Sequence, residues 1–228
     1  MRQQEGNEPT GVPEDPKQIQ PLLGGSISQQ TGILVLAAAA AVLNRQRDLE
    51  HLLRYGLTHN TPPHNLYEAL LQLYLFAGFP AALEALATFR SVVDELNIGY
   101  TPEPPEAYDV DMFNSRGQAL CRTVYTTAYH KMRERVGRLS PDLDLWMVVE
   151  GYGKTLSRPG LSVDVRELVI VAVLAALGWR NQLYSHIRGA VNVGVGRADC
   201  EAVLHLVDRV FGVSPRAQAF DSLQSVFA

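Results

Sequence analysis

The chain has 228 residues, of which 46% are hydrophobic and 19% charged, enough to bury the core of one large domain or two small ones. Its formal net charge is −4 and it contains no run of Lys or Arg, which argues against nucleic acid and anionic membrane as partners. The two cysteines, Cys121 and Cys200, form neither a CxxC pair nor a zinc pattern, so we expect free thiols in a reducing cytoplasm.

Residues 1–30 are rich in Gln, Pro, Gly and acidic residues and lack apolar periodicity. They predict a flexible tail, or an arm that lies on a partner subunit. The apolar stretch TGILVLAAAAAVL, residues 31–43, is shorter than the roughly 20 residues of a membrane span. It follows a polar segment rather than the short basic region of a signal peptide, so we predict a buried helix.

The next elements are also helical. NLYEALLQLYLF, residues 65–76, repeats its apolar residues at helical spacing, and Asn65 is a candidate N-cap. Gly78 ends this helix and Pro80 opens another, which runs to residue 96. The proline-rich residues 99–111 form a linker.

Beyond the linker, strand signals are nearly absent. The helical segments are residues 115–137, Ser140 to about residue 150, a segment that contains Glu167, and residues 180–193. Ser162 or Asp164 caps the helix of Glu167, and Gly178 breaks it. The sequence therefore predicts an all-α protein.

The chain also resembles itself. Residues 34–58 align over 172–196, and residues 75–86 echo 209–220 after a small insertion. This self-similarity predicts two tandem copies of a helical-hairpin unit.

The domain prediction is therefore a flexible tail (1–30), a degenerate first copy (31–98), a linker (99–111) and a more complete second copy (112–228). In this alignment His186 falls opposite Asp48, and Glu167 falls opposite Gln29. The first copy would then lack the acid and the histidine.

Glu167 and His186 are the candidate reaction centre. Trp179, Gln182 and His186 share one helix face, and Glu167 lies on the preceding helix. If the two helices form an antiparallel hairpin, the carboxylate approaches the imidazole. A buried carboxylate stabilises the protonated imidazole and orients it, which makes a general acid.

At this point residues 139–194 resemble the carboxymuconolactone decarboxylase family. The resemblance rests on the Arg158-Pro-Gly-Leu turn, Arg166-Glu167-Leu168, the Leu-Gly helix break, and His186-Ile-Arg-Gly-Ala. Residues 68–86 resemble the C-terminal helices of the family. The resemblance covers about 28–98 and 112–226. It implies an all-α alkylhydroperoxidase D-like fold that assembles as a ring, a homotrimer or a hexamer.

The redox branch of this superfamily carries a Glu before a CxxCxxxH motif. By resemblance, the Glu corresponds to Glu167 and the His to His186, while Trp179 and Gln182 occupy the two cysteine positions. Without these thiols no disulfide cycle is available, so we expect no thiol peroxidase activity.

The cysteine-free branch includes a decarboxylase that needs no cofactor and removes carbon dioxide from a carboxylated unsaturated lactone in the breakdown of aromatic compounds. The resemblance assigns proton donation to His186 and the tuning of that histidine to Glu167, with no metal. Either Arg158 or Arg188 would grip a substrate carboxylate. The remaining candidate substrate-binding residues are Trp179, Gln182 and Tyr184.

Each candidate also has a structural interpretation. His186 and Glu167 can be ordinary helix residues, Arg188 can form a salt bridge between helices or subunits, Arg158 can brace its turn, and Trp179 can pack in the core. Three functional hypotheses follow from the sequence. They are a cofactor-free carboxy-lyase acting on a small molecule, a non-catalytic structural or ligand-binding oligomer, and, disfavoured by the missing CxxC pair, a thiol peroxidase.

Overall fold

A computed structural model describes residues 11–213 and 216–227, and in these ranges the chain is helical without a β-strand. The all-α prediction is confirmed. The helices of the first half are α1 Pro16–Leu22, α2 Gln29–Val42, α3 Gln46–Thr58, α4 Pro63–Leu71 and α5 Tyr74–Glu95. Those of the second half are α6 Val110–Tyr125, α7 Tyr129–Leu139, α8 Pro141–Trp146, a π-helix Met147–Leu156, α9 Val163–Leu177, α10 Arg180–Asn192, α11 Arg197–Phe211 and α12 Arg216–Phe227.

Helices α2 and α9 form the centre of the fold, where they pack against each other. Both are apolar around nearly their whole circumference, which is typical of a helix buried on all sides. Ser28 caps α2 by accepting a hydrogen bond from the Thr31 backbone N–H. Ser162 occupies the same position before α9 but forms no side-chain cap, and Asp164 lies within the first turn. Residues 31–43 are thus a core helix, as predicted.

The backbone repeats itself with a constant spacing of 134 residues. The turn after α2 places Asn44 at φ 56, and the turn after α9 places Gly178 at φ 71. In both turns the next residue donates to a carbonyl five positions back, Arg45 to Ala40 and Trp179 to Leu174. The same spacing relates Asn60 to Gly194, both at positive φ, and Gly78 to Gly212.

This spacing corrects the alignment expected for the hairpin. The aligned sequences 34–58 and 172–196 are 138 residues apart, four more than the backbone repeat, whereas 75–86 and 209–220 are already 134 apart. No insertion separates the two parts. In the backbone register His186 corresponds to Leu52 rather than Asp48, and Glu167 to Ile33 rather than Gln29. Leu52 and Ile33 are fully buried, so the first copy is apolar at both positions.

The segment from residue 11 to α2 packs against the rest of the protein and is not a flexible tail. Residues 16–22 form α1, which Asp15 caps, and Ile19 and Leu23 are buried. The Gly11 backbone N–H donates to the Val210 carbonyl, 2.9 Å away, so this segment is held against α11. The few apolar residues here are too short a run to show periodicity. The expectation for residues 1–10 lies outside the described residues.

The middle of the chain also differs from the expected long helices. Helix α6 ends at Tyr125, and Thr126 has φ 47 before a short 3₁₀ turn leads into α7. The helix predicted from Ser140 becomes α8 followed by the π-helix. Gly117 and Gly153 allow α6 and the π-helix to touch through their backbones. A Cβ on Gly153 would lie 1.9 Å from the Phe113 carbonyl oxygen.

Helix α5 is interrupted near its start. Gly78 is non-helical (φ 84, ψ 169), and Pro80 begins the regular part, as predicted. The helix before it begins at Pro63, with Pro62 at the N-cap position instead of Asn65. Among the described helices, Tyr74–Glu95 has the length and composition of a membrane span. The part that follows the break at Gly78 is shorter than the roughly 20 residues a span requires.

Candidate active site

Glu167 and His186 are brought together by the α9–α10 hairpin. Gly178 ends α9 in the left-handed conformation (φ 71, ψ 23), so the chain reverses there and α10 packs back along α9. Glu167 lies near the start of α9 and His186 in the middle of α10. The antiparallel hairpin expected from the sequence therefore places them side by side.

The two side chains form a buried hydrogen-bonded pair. The His186 Nδ1–H donates to Glu167 Oε2 over 2.9 Å. His186 is 6% exposed and Glu167 2% exposed. The Phe76 ring meets the imidazole edge-on at 5.5 Å between ring centroids. With Nδ1 committed to the carboxylate, Nε2 is the nitrogen left for a ligand.

Gly189 makes this close approach of the helices possible. A Cβ on Gly189 would lie 2.7 Å from Val124 Cγ1 and 3.1 Å from Glu167 Oε2. Only glycine leaves room at this position for α6 on one side and the carboxylate on the other. The contact between Glu167 and His186 thus depends on a glycine at position 189.

His186 lines a cavity of about 420 Å³, here called the His186 pocket. This volume lies within the range of about 300–1,000 Å³ of small-molecule sites. Its walls come from α5, α6, α8, the π-helix, α9 and α10. The aromatic residues that line it are Phe76, Tyr125, Trp146, Tyr152 and Trp179. π-Helical turns are rare and often occur at functional sites, and here the π-helix supplies one wall.

A tyrosine pair faces His186 across the pocket. The Tyr152 hydroxyl donates to the Tyr125 hydroxyl over 3.1 Å, and both residues line the cavity. Burial raises the pKa of Tyr125, an effect that the hydrogen bond from Tyr152 partly offsets. Burial also raises the pKa of Tyr152 well above its usual range. Both side chains are therefore phenols at neutral pH, and Tyr125 retains a proton to donate.

Glu150 is the acidic residue among the described residues that line the His186 pocket. It pairs with Lys154 and accepts a hydrogen bond from the Tyr108 hydroxyl. Burial alone would raise the pKa of Glu150, but the hydrogen bonds from Lys154 and Tyr108 outweigh it and lower the pKa. Glu150 is therefore an ion-paired carboxylate and is not suited to donate a proton.

The predicted substrate-binding residues separate into three groups. Trp179 and Gln182 line the His186 pocket, with Trp179 58% exposed, which contradicts a core-packing role for it. Tyr184 and Arg188 instead line a neighbouring cavity of about 530 Å³. Arg158 lines neither cavity. Among the described residues, no Lys or Arg lines the His186 pocket.

Arg158 instead belongs to a buried network between the two copies. Its guanidinium donates to both oxygens of Glu68, at 2.8–3.2 Å, and Arg166 donates to Glu68 Oε2 at 2.8 Å. Arg166 also bonds Gln72, and Glu68 and Gln72 have no exposed surface. Burial lowers the pKa of Arg166, and the hydrogen bond to Glu68 counteracts that effect. The expectation that Arg158 grips a substrate is not supported by this position. The structural alternative, a brace for the turn, describes it better.

Sequence reasoning missed several residues of the site. Phe76 comes from the first copy, so the pocket uses residues of both copies. Tyr125 and Tyr152 sit on elements whose ends the sequence did not reveal. A Glu-Gly-Tyr-Gly stretch at 150–153 interrupts an otherwise apolar helix, and this was the available signal for the π-helix.

The thiols lie apart from the pocket. Cys121 and Cys200 are free and fully buried. Burial raises the pKa of each thiol to about 12. Both are therefore protonated near neutral pH, whereas the reactive species of a cysteine is the thiolate. Within the described ranges, no group of three His, Cys, Asp or Glu side chains is arranged to hold a metal ion.

Residues 145–224 match the profile of the carboxymuconolactone decarboxylase family. This stretch of the chain is similar to that family. The matched segment begins at the end of α8 and contains the π-helix, Glu167 and His186. The first copy lies outside it.

The carboxymuconolactone decarboxylase assignment is supported by one curated relative. A protein of Acinetobacter baylyi named 4-carboxymuconolactone decarboxylase is 36% identical over 73 residues, which are 32% of this chain and 54% of the relative. The chain thus spans about half the length of that relative. The similarity to the family thus rests on residues 145–224 and on a relative that the chain covers in part.

Proposed function

We propose that the protein is a cofactor-free carboxy-lyase that acts on a small carboxylated lactone in the His186 pocket. The observation that carries this proposal is the buried Glu167–His186 hydrogen bond of 2.9 Å at the wall of a cavity of substrate size. The similarity to a 4-carboxymuconolactone decarboxylase supports the reaction class.

The proposed reaction breaks one carbon–carbon bond and forms one carbon–hydrogen bond. The electron pair of the breaking bond moves into the conjugated carbonyl as carbon dioxide leaves. The protonated imidazole of His186 then delivers the Nε2 proton to carbon. Glu167 holds the ring through Nδ1 and balances the positive charge that the imidazole carries before the transfer.

The developing oxyanion requires a hydrogen-bond donor. Tyr125 fits that role because it accepts from Tyr152 and keeps its own proton for the pocket. Its raised pKa keeps the proton in place at neutral pH. A donor that is already oriented in the pocket stabilises the enolate without reorganisation.

Carboxylate binding in this pocket depends on few polar groups. Arg158 is held by Glu68, and Arg188 lines the neighbouring cavity, so neither lies among the pocket residues. The protonated His186 and the Gln182 amide are the groups available to the carboxylate. An apolar environment disfavours a localised carboxylate more than the delocalised charge formed as carbon dioxide leaves, which favours the reaction.

A second candidate is a non-catalytic ligand-binding oligomer. It is favoured by the absence of Lys and Arg among the described pocket residues and by the apolar mouth of the pocket. Leu143, Trp146 and Trp179 are each more than half exposed there. Another subunit of a homotrimer or hexamer would cover such residues. We retain this assembly and a cytoplasmic location as proposals, and sedimentation of the purified protein tests the first.

The experiment that tests the proposed reaction supplies 4-carboxymuconolactone to the purified protein in D₂O and follows carbon dioxide and product. The proposal expects catalysed release, above that of buffer alone, with one deuterium added at the protonated carbon. Specific binding without release would favour the non-catalytic ligand-binding protein. If the protein shows no binding and no release, this lactone is excluded as the ligand.

A further inference from the structure

The cavity beside the His186 pocket has a markedly different character. It is about 530 Å³ in volume and lies between α6, α7 and α10. We call it the arginine pocket because Lys131, Arg135, Arg138 and Arg188 line it. Glu134 is its acidic residue. Four cations and one carboxylate in one cavity contrast with the net charge of −4 of the whole chain.

Three of these cations have no ion-pair partner among the residues that the structure describes. Glu134 pairs with Arg138, one turn along α7. In the part of the chain that the structure describes, Lys131, Arg135 and Arg188 form no ion pair, and all three side chains are exposed at the cavity. Their like charges repel one another, so an anion placed between them would relieve that repulsion.

The floor of the arginine pocket is apolar. Val124, Met132 and Gly189 are buried there. Tyr184 adds an aromatic ring one turn before Arg188 on α10. A cavity with an apolar floor and cations at its rim matches a ligand that has an apolar body and an acidic group. A bare inorganic anion would leave the floor unused.

The arginine pocket touches the His186 pocket at one residue. Tyr125 lines both cavities. The positive charge of Arg135 lies close enough to affect the Tyr125 hydroxyl, although burial dominates there and raises the pKa. Tyr125 thus forms part of the wall of both the His186 pocket and the arginine pocket.

We propose that the arginine pocket is a second binding site, separate from the His186 pocket, for an organic carboxylate with an aromatic or short aliphatic body. Arg135 and Arg188 hold the carboxylate, and Val124, Met132 and Tyr184 contact the body. This site does not depend on the reaction proposed at His186, because it shares neither the histidine nor Glu167. Its occupant lies against Tyr125.

Calorimetric titration with benzoate tests the site, with benzamide as the uncharged probe of the same shape. The expected result is saturable benzoate binding that benzamide does not reproduce. The Arg135→Gln/Arg188→Gln variant should weaken benzoate binding at least tenfold, which corresponds to ~1.4 kcal/mol. The matched control, Arg90→Gln/Arg197→Gln, removes the same charge from exposed i,i+4 pairs on α5 and α11. It should bind benzoate as the wild type does.

Three results would overturn the proposal. They are no saturable binding of benzoate, equal weakening in both double variants, and benzamide binding as tight as that of benzoate. Repeating the titration with His186→Gln separates the two cavities. Unchanged affinity supports the arginine pocket, whereas loss of binding would place benzoate beside His186 and contradict the proposal. Circular dichroism of each variant confirms that the helices remain.

Discussion

His186 Nδ1 lies 2.9 Å from Glu167 Oε2, and the two residues belong to consecutive helices that reverse at Gly178. The contact is buried, yet the imidazole still borders a cavity. Here one nitrogen is bound by the carboxylate and the ring faces a pocket, which is the arrangement of a positioned proton donor.

Gly189→Ala should disturb this contact directly. The new methyl group would meet Val124 Cγ1 at 2.7 Å and Glu167 Oε2 at 3.1 Å, so α10 must move away from α6 and α9. Overpacking of this kind costs about 1–3 kcal/mol. Chemical unfolding measures the loss. Gly99→Ala is the control, because a Cβ at Gly99 has no neighbour within 4 Å. Equal stability of the two variants would show that the helices do not pack as closely as described.

Glu68→Gln should destabilise the protein strongly. The substitution keeps the shape of the side chain but leaves the guanidinium groups of Arg158 and Arg166 without a counter-charge in a buried site. Loss of one member of a buried ion pair costs about 3–5 kcal/mol. Glu50→Gln removes a carboxylate from a half-exposed pair with Arg54 and should change the unfolding midpoint little. Similar midpoints for both variants would contradict a buried network.

Tyr125→Phe should lower kcat on a turned-over lactone with little change in KM. The hydroxyl is assigned to the oxyanion that forms as carbon dioxide leaves, and loss of such a donor lowers kcat by roughly 10²–10³-fold. Tyr55→Phe is the matched control, because it removes the hydroxyl of a buried tyrosine that lies outside the His186 pocket and accepts from Gln29. Steady-state kinetics compare the two. An unchanged kcat in Tyr125→Phe would remove this tyrosine from the mechanism.

The two thiols should resist modification and contribute to stability in a pH-dependent way. Burial raises the pKa of Cys121 and Cys200 from 9.0 to about 12. The folded protein therefore holds these protons more tightly than the unfolded chain. The resulting stabilisation is complete below about pH 9 and is lost as the pH rises to about 12.

A chromogenic disulfide reagent at pH 8 should thus label neither cysteine in the folded protein and both in guanidinium chloride. Unfolding at two alkaline pH values should show a smaller loss in Cys121→Ala than in the wild type. Rapid labelling of the folded protein would show that a thiol is accessible and would reopen the question of thiol chemistry.

Much of the helical order was predictable because apolar periodicity and strong breakers coincide. Gly78 and Gly178 interrupt helices and Pro80 begins one, as predicted. Residues 31–43 also form the predicted core helix. The acid–histidine contact was predictable for the same reason, since a hairpin with a single glycine at its corner leaves little freedom in how its two helices face each other.

The register of the internal repeat was not predictable from residue identity. The corresponding turns use Asn44 in one copy and Gly178 in the other, because both residues tolerate positive φ. Alanine-rich stretches align almost equally well when shifted by one helical turn, which explains the error of four residues. The backbone hydrogen bonds of the turns reveal the register, and those are invisible in a single sequence.

The contacts that Arg158 makes could not be predicted from the sequence either. Arg158 precedes a turn that presses on the first copy, where a Cβ at Gly160 would lie 2.1 Å from His64 Nε2, so its partner is Glu68, 90 residues away. Arg188 is two residues from His186 and therefore points to a different side of α10. A long-range contact decided the placement of Arg158, whereas helical spacing decided that of Arg188.

The central claim is that His186 is the proton donor of a reaction centre, and His186→Gln tests it most directly. Carbon dioxide release from 4-carboxymuconolactone is measured for the wild type, His186→Gln and His130→Gln, which removes an exposed histidine on α7. We expect turnover by the wild type and by His130→Gln, and a loss of at least about 10²-fold in kcat for His186→Gln. Turnover that survives in His186→Gln would contradict it.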